Sequence, residues 1–533
     1  MKRASVAAAL LGAAALIGCS AGTMPRAVAQ ADSLQPLLPP GSPFHGVHGL
    51  RFDNQGDLYA TSVIGQSIFK VDIDSREIER VVGPREGMAD DIAIAPDGTL
   101  FWTAIEDGIV YTHAPGGPIR RAVENMKGVN AISFSRDFER LFFTLVFYGD
   151  ALYELDPAGD APPRLIAENL GGLNAFEVAH DGMIYGPLVF GGRVVRIDPD
   201  TGEITTVSDD FESPGALKLA GDGSAFVLDE THLKRVVLAS GVTSIVAELP
   251  SGGDNLAVSD VGLVYVSLAA ENAIVEVEPA SGVFGYLTGP APLVSPAGLA
   301  LSDDGGTLYV GDMFGGFRAI DTDTAEVTDT AIDIFQPTHV SANDTHLLVV
   351  GEVFGEIQRL DRNSFEVLDR WEGFALPHDA LEAPNGDLIV AEAGSGRLLR
   401  VTGPEVSDRI VLVEGLSEPT GLAWAGDDTV YVSETGGGRV LRVDLAGGAT
   451  SAVAANLQQP EGIAVDADDN VFVVEVGARM LRRVAPDGRL STVAENLPVG
   501  LSNGPSLYRG IAVGPDAIYL SSDIDNTVYR LAR

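Results

Sequence analysis

The chain has 533 residues, with 75 acidic against 35 basic side chains and a net charge of −40. That length is enough for two or more hydrophobic cores. The acids are spread along the sequence rather than gathered in a tail, which argues against nucleic-acid binding and against adhesion to anionic lipid, since both need basic patches.

The first segment is an export signal by its pattern. Met1-Lys2-Arg3 is a basic start, and Ala7 to Ile17 is an apolar run too short to span a bilayer. It ends in Leu16-Ile17-Gly18-Cys19, which resembles the lipobox of bacterial lipoproteins. The resemblance implies lipidation at Cys19, with residues 1–19 as the signal peptide, 20–32 as a linker, and a protein anchored in the cell envelope or periplasm. The rival cleavage site is Ala27-Val28-Ala29, which would release a secreted soluble protein. Cys19 is the only cysteine, so the remainder has no disulfide and no thiol chemistry.

From Val47 onward a motif of the form Pro-x-Gly-hydrophobic-Ala-hydrophobic recurs about every 41 residues. Clear copies are Val47-His48-Gly49-Leu50, Pro296-Ala297-Gly298-Leu299, Pro419-Thr420-Gly421-Leu422 and Pro460-Glu461-Gly462-Ile463. Degenerate copies place Asp90, Asn130, Asn174, Gly215, Asp254, Thr338, His378 and Arg509 at the second position. One repeat, residues 460–495, reads as four β-rich runs separated by turn chemistry. Asp97-Gly98, Asp181-Gly182, Asn385-Gly386 and Asp487-Gly488 supply hairpin turns. Four antiparallel strands per repeat describe a propeller blade, so the expected fold is all-β: two tandem six-bladed β-propellers of twelve four-stranded blades. The expected division is 33–282 and 283–533, with five plus seven blades as the alternative. The segment Ser33 to Leu38 is expected to close the sixth blade, freeing Val283 to Leu287 to close the twelfth.

In a propeller the second motif residue of each repeat lies at one mouth of the central channel. The first ring gathers His48, Asp90, Asn130, Asn174, Gly215 and Asp254, which offer hard oxygen ligands and candidate bases. Phrases such as Pro296-Ala297-Gly298-Leu299-Ala300-Leu301-Ser302-Asp303-Asp304-Gly305 resemble the senescence marker protein/gluconolactonase family. That resemblance implies one divalent cation (Ca, Mg, Mn and Zn not being distinguished) on Asp90, Asn130, Asn174 and Asp254, with a carboxylate as general base. The family's Glu is missing from the ring, and Gly215 leaves a gap. The second half resembles NHL repeats and the virginiamycin B lyase group, which implicates His378, His339, Glu434 and Glu475. Asp379, Glu461 and Arg509 are further candidates at that mouth. An acidic residue follows the second strand in nearly every blade there (Asp312, Glu352, Glu392, Glu434, Glu475, Asp523), and structural hydrogen bonding is its plainer explanation.

No Gly-rich phosphate loop opens a helix, and no serine sits in a nucleophile elbow. The expected function is an exported, metal-dependent hydrolase of lactone or ester type acting on a small molecule, with His48, Asp254 and His378 as catalytic candidates. The alternatives are a non-catalytic NHL-like propeller that binds a protein partner, and a virginiamycin B lyase-like lyase. No nucleic-acid partner is expected, and contact with a membrane only through the lipid.

Overall fold

In a computed structural model the chain is described over residues 34–159, 161–331, 336–426, 428–501 and 510–533. Cys19, the leader and Arg509 lie outside these residues. Among the described residues the chain forms twelve four-stranded antiparallel sheets, consistent with tandem propellers. Helical structure is limited to short 3₁₀ turns such as Val189–Gly191 and Val476–Ala478. No helix among these residues is long and apolar enough to cross a membrane.

The inner strands, in chain order, are Leu50–Phe52, Ile92–Ile94, Val129–Phe134, Glu177–Val178, Pro214–Leu219, Leu256–Val258, Pro296–Leu301, His339–Ala342, Pro377–Glu382, Pro419–Trp424, Pro460–Val465 and Ile511–Val513. Asp-Gly turns set hairpins within the sheets, after the inner strand at Gly98 and Gly182 and before the outer strand at Gly488. Gly98, Gly182 and Gly488 take φ of 84°, 81° and 81°, and the preceding aspartate accepts the N–H two residues on, at 2.9, 3.1 and 3.0 Å. From Leu50–Phe52 to Leu256–Val258, and again from Pro296–Leu301 to Ile511–Val513, each inner strand touches the next, and both series close on themselves. Leu50–Phe52 meets both Ile92–Ile94 and Leu256–Val258, and Pro296–Leu301 meets both His339–Ala342 and Ile511–Val513.

The core lies between neighbouring sheets. Leu50, Phe69, Ala257 and Tyr265 pack the first sheet on the sixth. Leu299, Leu308, Ala512 and Tyr519 pack the seventh on the twelfth, with Leu38 beside them.

The expected strand exchange is not formed. Val283–Thr288 pairs with Ala273–Glu278 in its own sixth sheet, and the N-terminal strand Gln35–Pro36 pairs with Thr527–Ala532 of the twelfth. The reason is local: Gly282, at φ 71°, makes a tight turn that brings Val283 back to Glu278, and a short hairpin loop closes with little entropy loss. The sixth sheet therefore runs past residue 282. The Gln35–Pro36 strand completes the sheet that lacked a fourth strand, and Thr527 Oγ1 donates to the Leu38 carbonyl at 2.7 Å. His45 continues this clasp, its buried ring lying 2.6 Å from the Asp523 carbonyl through Nε2 and 3.1 Å from that of Pro43 through Nδ1.

Candidate functional site

The second motif residues share one backbone setting. His48, Asp90, Asn174, Asp254 and Thr338 each donate the N–H to the end of the neighbouring strand, at Thr61, Thr103, Pro187, Ser267 and Val350, over 2.8, 2.8, 3.1, 3.0 and 2.8 Å. In the first six sheets this places His48, Asp90 and Asp254 within electrostatic reach of one another. Loss of water contact, then the charges of Asp254, Asp91 and Glu106, raise the Asp90 carboxyl well above the usual carboxylate range. Asp254 is also raised, by dehydration first, with His48 pulling it back and Asp91 pushing it up. Asp254 keeps an exposed face and Asp90 is half-buried. Both carboxyls thus lose water only in part.

His48 is buried, its Nδ1 has no hydrogen-bond partner, and its ring meets Phe314 edge-on at 5.2 Å between centroids. Asn130 is buried too, and its side-chain oxygen has no partner. Asn174 is half-buried. Among the described residues no three His, Cys, Asp or Glu side chains come together closely enough to hold a metal ion. A cation here would need amide oxygens beside Asp90 and Asp254, and the unpartnered Asn130 oxygen is of that kind.

Deeper in, Asp91 ties sheets together. One oxygen accepts from the Ile92 N–H at 2.9 Å and from Asn255 Nδ2 at 3.3 Å, and the other accepts from the Ile132 N–H at 3.1 Å. Gly49 permits this crossing, because a Cβ there would lie 2.8 Å from the Asp91 Cα. One further inward-facing step brings a constellation that the motif-position reading missed. At the alanine place of the motif stand Arg51, Glu177 and Lys218, where the other inner strands carry Ala93, Ser133, Ala257, Ala300, Ser341, Leu381, Ala423, Ala464 and Ala512. Three charges at a small-residue position were the available signal. They line a cavity of ≈ 470 Å³.

In the last six sheets the candidates form pairs rather than one cluster. His339 Nε2 is 2.8 Å from Asp379 Oδ1, and His378 Nε2 is 3.2 Å from Glu352 Oε1. Asp379 Oδ2 accepts from the Leu422 N–H at 2.6 Å, matching the sheet-to-sheet role of Asp91. Glu461 is buried. The acidic series holds backbone. Glu434 accepts from the Ser417 N–H at 2.6 Å and Glu475 from the Gln458 N–H at 2.7 Å. Asp312 accepts from Ser295 at 2.6 Å, Glu392 from Ala375 at 2.8 Å and Asp523 from Gly500 at 2.8 Å. Each ties down the loop entering its own sheet. Asp229 does the same in the fifth sheet, through Ser213 at 2.8 Å.

The family model described as SMP-30/Gluconolactonase/LRE-like region matches residues 263–499. It takes in His339, His378, Asp379, Glu434, Glu461 and Glu475, and leaves His48, Asp90, Asn130, Asn174 and Asp254 outside. No curated protein matches the sequence. Among solved structures, virginiamycin B lyase from Staphylococcus aureus is 16% identical, covering 60% of this chain and 94% of its own, with a TM-score of 0.28. A streptogramin B lyase is 13% identical, covering 68% and 93%, with a TM-score of 0.28. A catalytically inactive S. aureus lyase with quinupristin is 17% identical, covering 60% and 94%, with a TM-score of 0.29. Residues 263–499, less than half of the chain, are thus similar to the SMP-30/gluconolactonase/LRE-like family.

Proposed function

We propose that the twelve sheets form two six-bladed propellers in tandem, and that the first is a divalent-metal-dependent hydrolase of lactone or ester type. The ring count is supported by the two series of inner-strand contacts, each closing after six strands. The activity rests on one observation: Asp90 and Asp254 are electrostatically coupled and both raised, and Asn130, at the same motif position, has a buried side-chain oxygen without a partner. Two carboxylates that raise each other's proton affinity are a cation's natural counter-charge. Asp90, Asp254, Asn130 and Asn174 would hold it. When bound, such an ion polarises a carbonyl and acidifies water. Asp254, with an accessible face, takes the proton from the attacking water, and His48 Nδ1, which has no other partner, is placed to pass a proton to the leaving oxygen.

Calorimetric titration of Ca²⁺, Mg²⁺, Mn²⁺ and Zn²⁺ should show about one ion bound per chain, lost in Asp254→Ala and Asp90→Asn. A lactone and ester panel run with and without chelator then tests turnover. Binding unchanged in both variants rejects the site, and no binding by the wild type favours a non-catalytic propeller that presents rigid faces to a partner.

A second reading, a lyase in the other ring, is favoured by His378. Glu352 orients its Nε2, and its Nδ1 is buried without a partner, which is the arrangement of a positioned base. Its product would carry a new double bond absorbing in the ultraviolet, and His378→Ala should abolish that signal. Export with a lipid on Cys19 completes the proposal. Radiolabelled palmitate should label the wild type and not Cys19→Ser.

A further inference from the structure

The first-ring channel ends, on the side away from His48 and Asp254, in a cluster of cations inside a protein of charge −40. Arg51 is fully engaged: Nε donates to the Ile92 carbonyl at 3.3 Å, Nη2 to that of Ile132 at 3.4 Å, and Nη1 to Glu177 Oε1 at 3.2 Å. Glu177 is engaged on both oxygens as well, since the other one accepts from the Leu219 N–H at 2.8 Å and lies 3.7 Å from Arg136 Nη2. Lys218 shares none of these bonds. It is 3% exposed, and its Nζ has no hydrogen-bond partner.

An ammonium so placed is costly unless something answers it. Burial, then the Arg51 charge, lowers Lys218 to about 8, against the pull of Asp91 and Glu177. The space beside it is a cavity of ≈ 470 Å³ to which all six inner strands of the ring contribute. One wall is aromatic, with Phe134 and Phe138 5.7 Å apart between centroids and Phe138 exposed to solvent. The rim carries two acids. Asp53 is occupied with the N–H groups of Gln55 and Asp57 at 2.8 and 2.9 Å, and Asp260 is exposed. The deep end is thus cationic, and the entrance joins an aromatic wall to a rim that carries these two acids.

We propose that this cavity binds a small organic anion, its carboxylate or phosphate head on Lys218 Nζ and Arg136 and its apolar body against Phe134 and Phe138. The site is separate from the proposed metal mouth and stands whether or not that mouth is catalytic.

Calorimetry on the full chain tests it with four probes: benzoate, phenyl phosphate, inorganic phosphate and benzyl alcohol. Benzoate or phenyl phosphate should bind, the tighter of the two naming the head group, and benzyl alcohol should not. Lys218→Met should weaken the anion about tenfold or more, the size of one charge-assisted hydrogen bond. Phe138→Ala should weaken the aromatic anions and leave inorganic phosphate unchanged. If Lys218→Met fails to fold, Arg136→Gln, on a half-exposed side chain, should still weaken the anion several-fold. Equal affinity for benzyl alcohol, no anion binding by the wild type, or unchanged affinity in both charge variants overturns the proposal.

Discussion

Lys218 and Asp90 sit along one axis with opposite electrostatic problems. Lys218 falls from 10.5 to about 8. Below about pH 8 the folded and unfolded chains both carry that proton, and burying the charge costs about 3 kcal/mol. Between about 8 and 10.5 only the unfolded chain keeps it, so the penalty is relieved as pH rises. Lys218→Met should therefore raise Tm at pH 7 in anion-free buffer, and its advantage over the wild type should shrink toward pH 10. A gain that stays constant with pH would contradict the burial argument. Asp90 shifts the other way. Its native carboxyl holds a proton that the unfolded chain releases, so the native state loses stability as pH climbs through the ordinary carboxylate range. Asp90→Asn should stabilise the metal-free protein at pH 7. It should also remove the roughly 2.7 kcal/mol that a specific ion at a hundredfold over its Kd would add to the wild type, as read by thermal melts with and without metal. The mouth residues were legible because the motif counts them out. Lys218 was not, because its place in the motif is a packing position whose facing depends on register. Nor was Phe314, which reaches His48 from a sheet numbered six repeats later.

At the scale of strands and loops, the acidic residue after the second strand works as a staple. Glu434 is 1% exposed and accepts from Ser417 as well as pairing with Arg439. Glu434→Ala removes the charged acceptor of the Ser417 N–H and the partner of Arg439, so a loss of about 1–3 kcal/mol is expected in urea unfolding. The same change at the Glu405 turn, on an exposed residue, should cost far less. The periodic sequence announced twelve four-stranded units because the hairpins are written locally, in turn residues such as Asp-Gly pairs and in short apolar runs between them. It could not announce which sheet the Gln35–Pro36 strand completes. Sheets six and twelve offer similar edges, and the choice turns on the tight Gly282 hairpin that already fills the first. Leu34 and Leu38 anchor that strand in two different clusters. Leu34→Ala should cost about 2–3 kcal/mol, measured by chemical denaturation.

At the scale of the molecule, the strand on the twelfth sheet makes the last six sheets depend on residues that precede the first six. A piece beginning at residue 289 would expose the edge of Thr527–Ala532, a template for pairing with other chains. It should aggregate, as light scattering would show, and grafting residues 34–46 after residue 533 should restore a monomer. A monomeric, fully stable 289–533 piece would show that the strand is ornamental. Thr527 and Leu38 lie 489 residues apart along the chain. During synthesis the first six sheets can settle as soon as they emerge. The segment ahead of them must stay unmatched until almost everything downstream has been made, so a ribosome pausing late in translation leaves a nearly finished protein with its clasp undone.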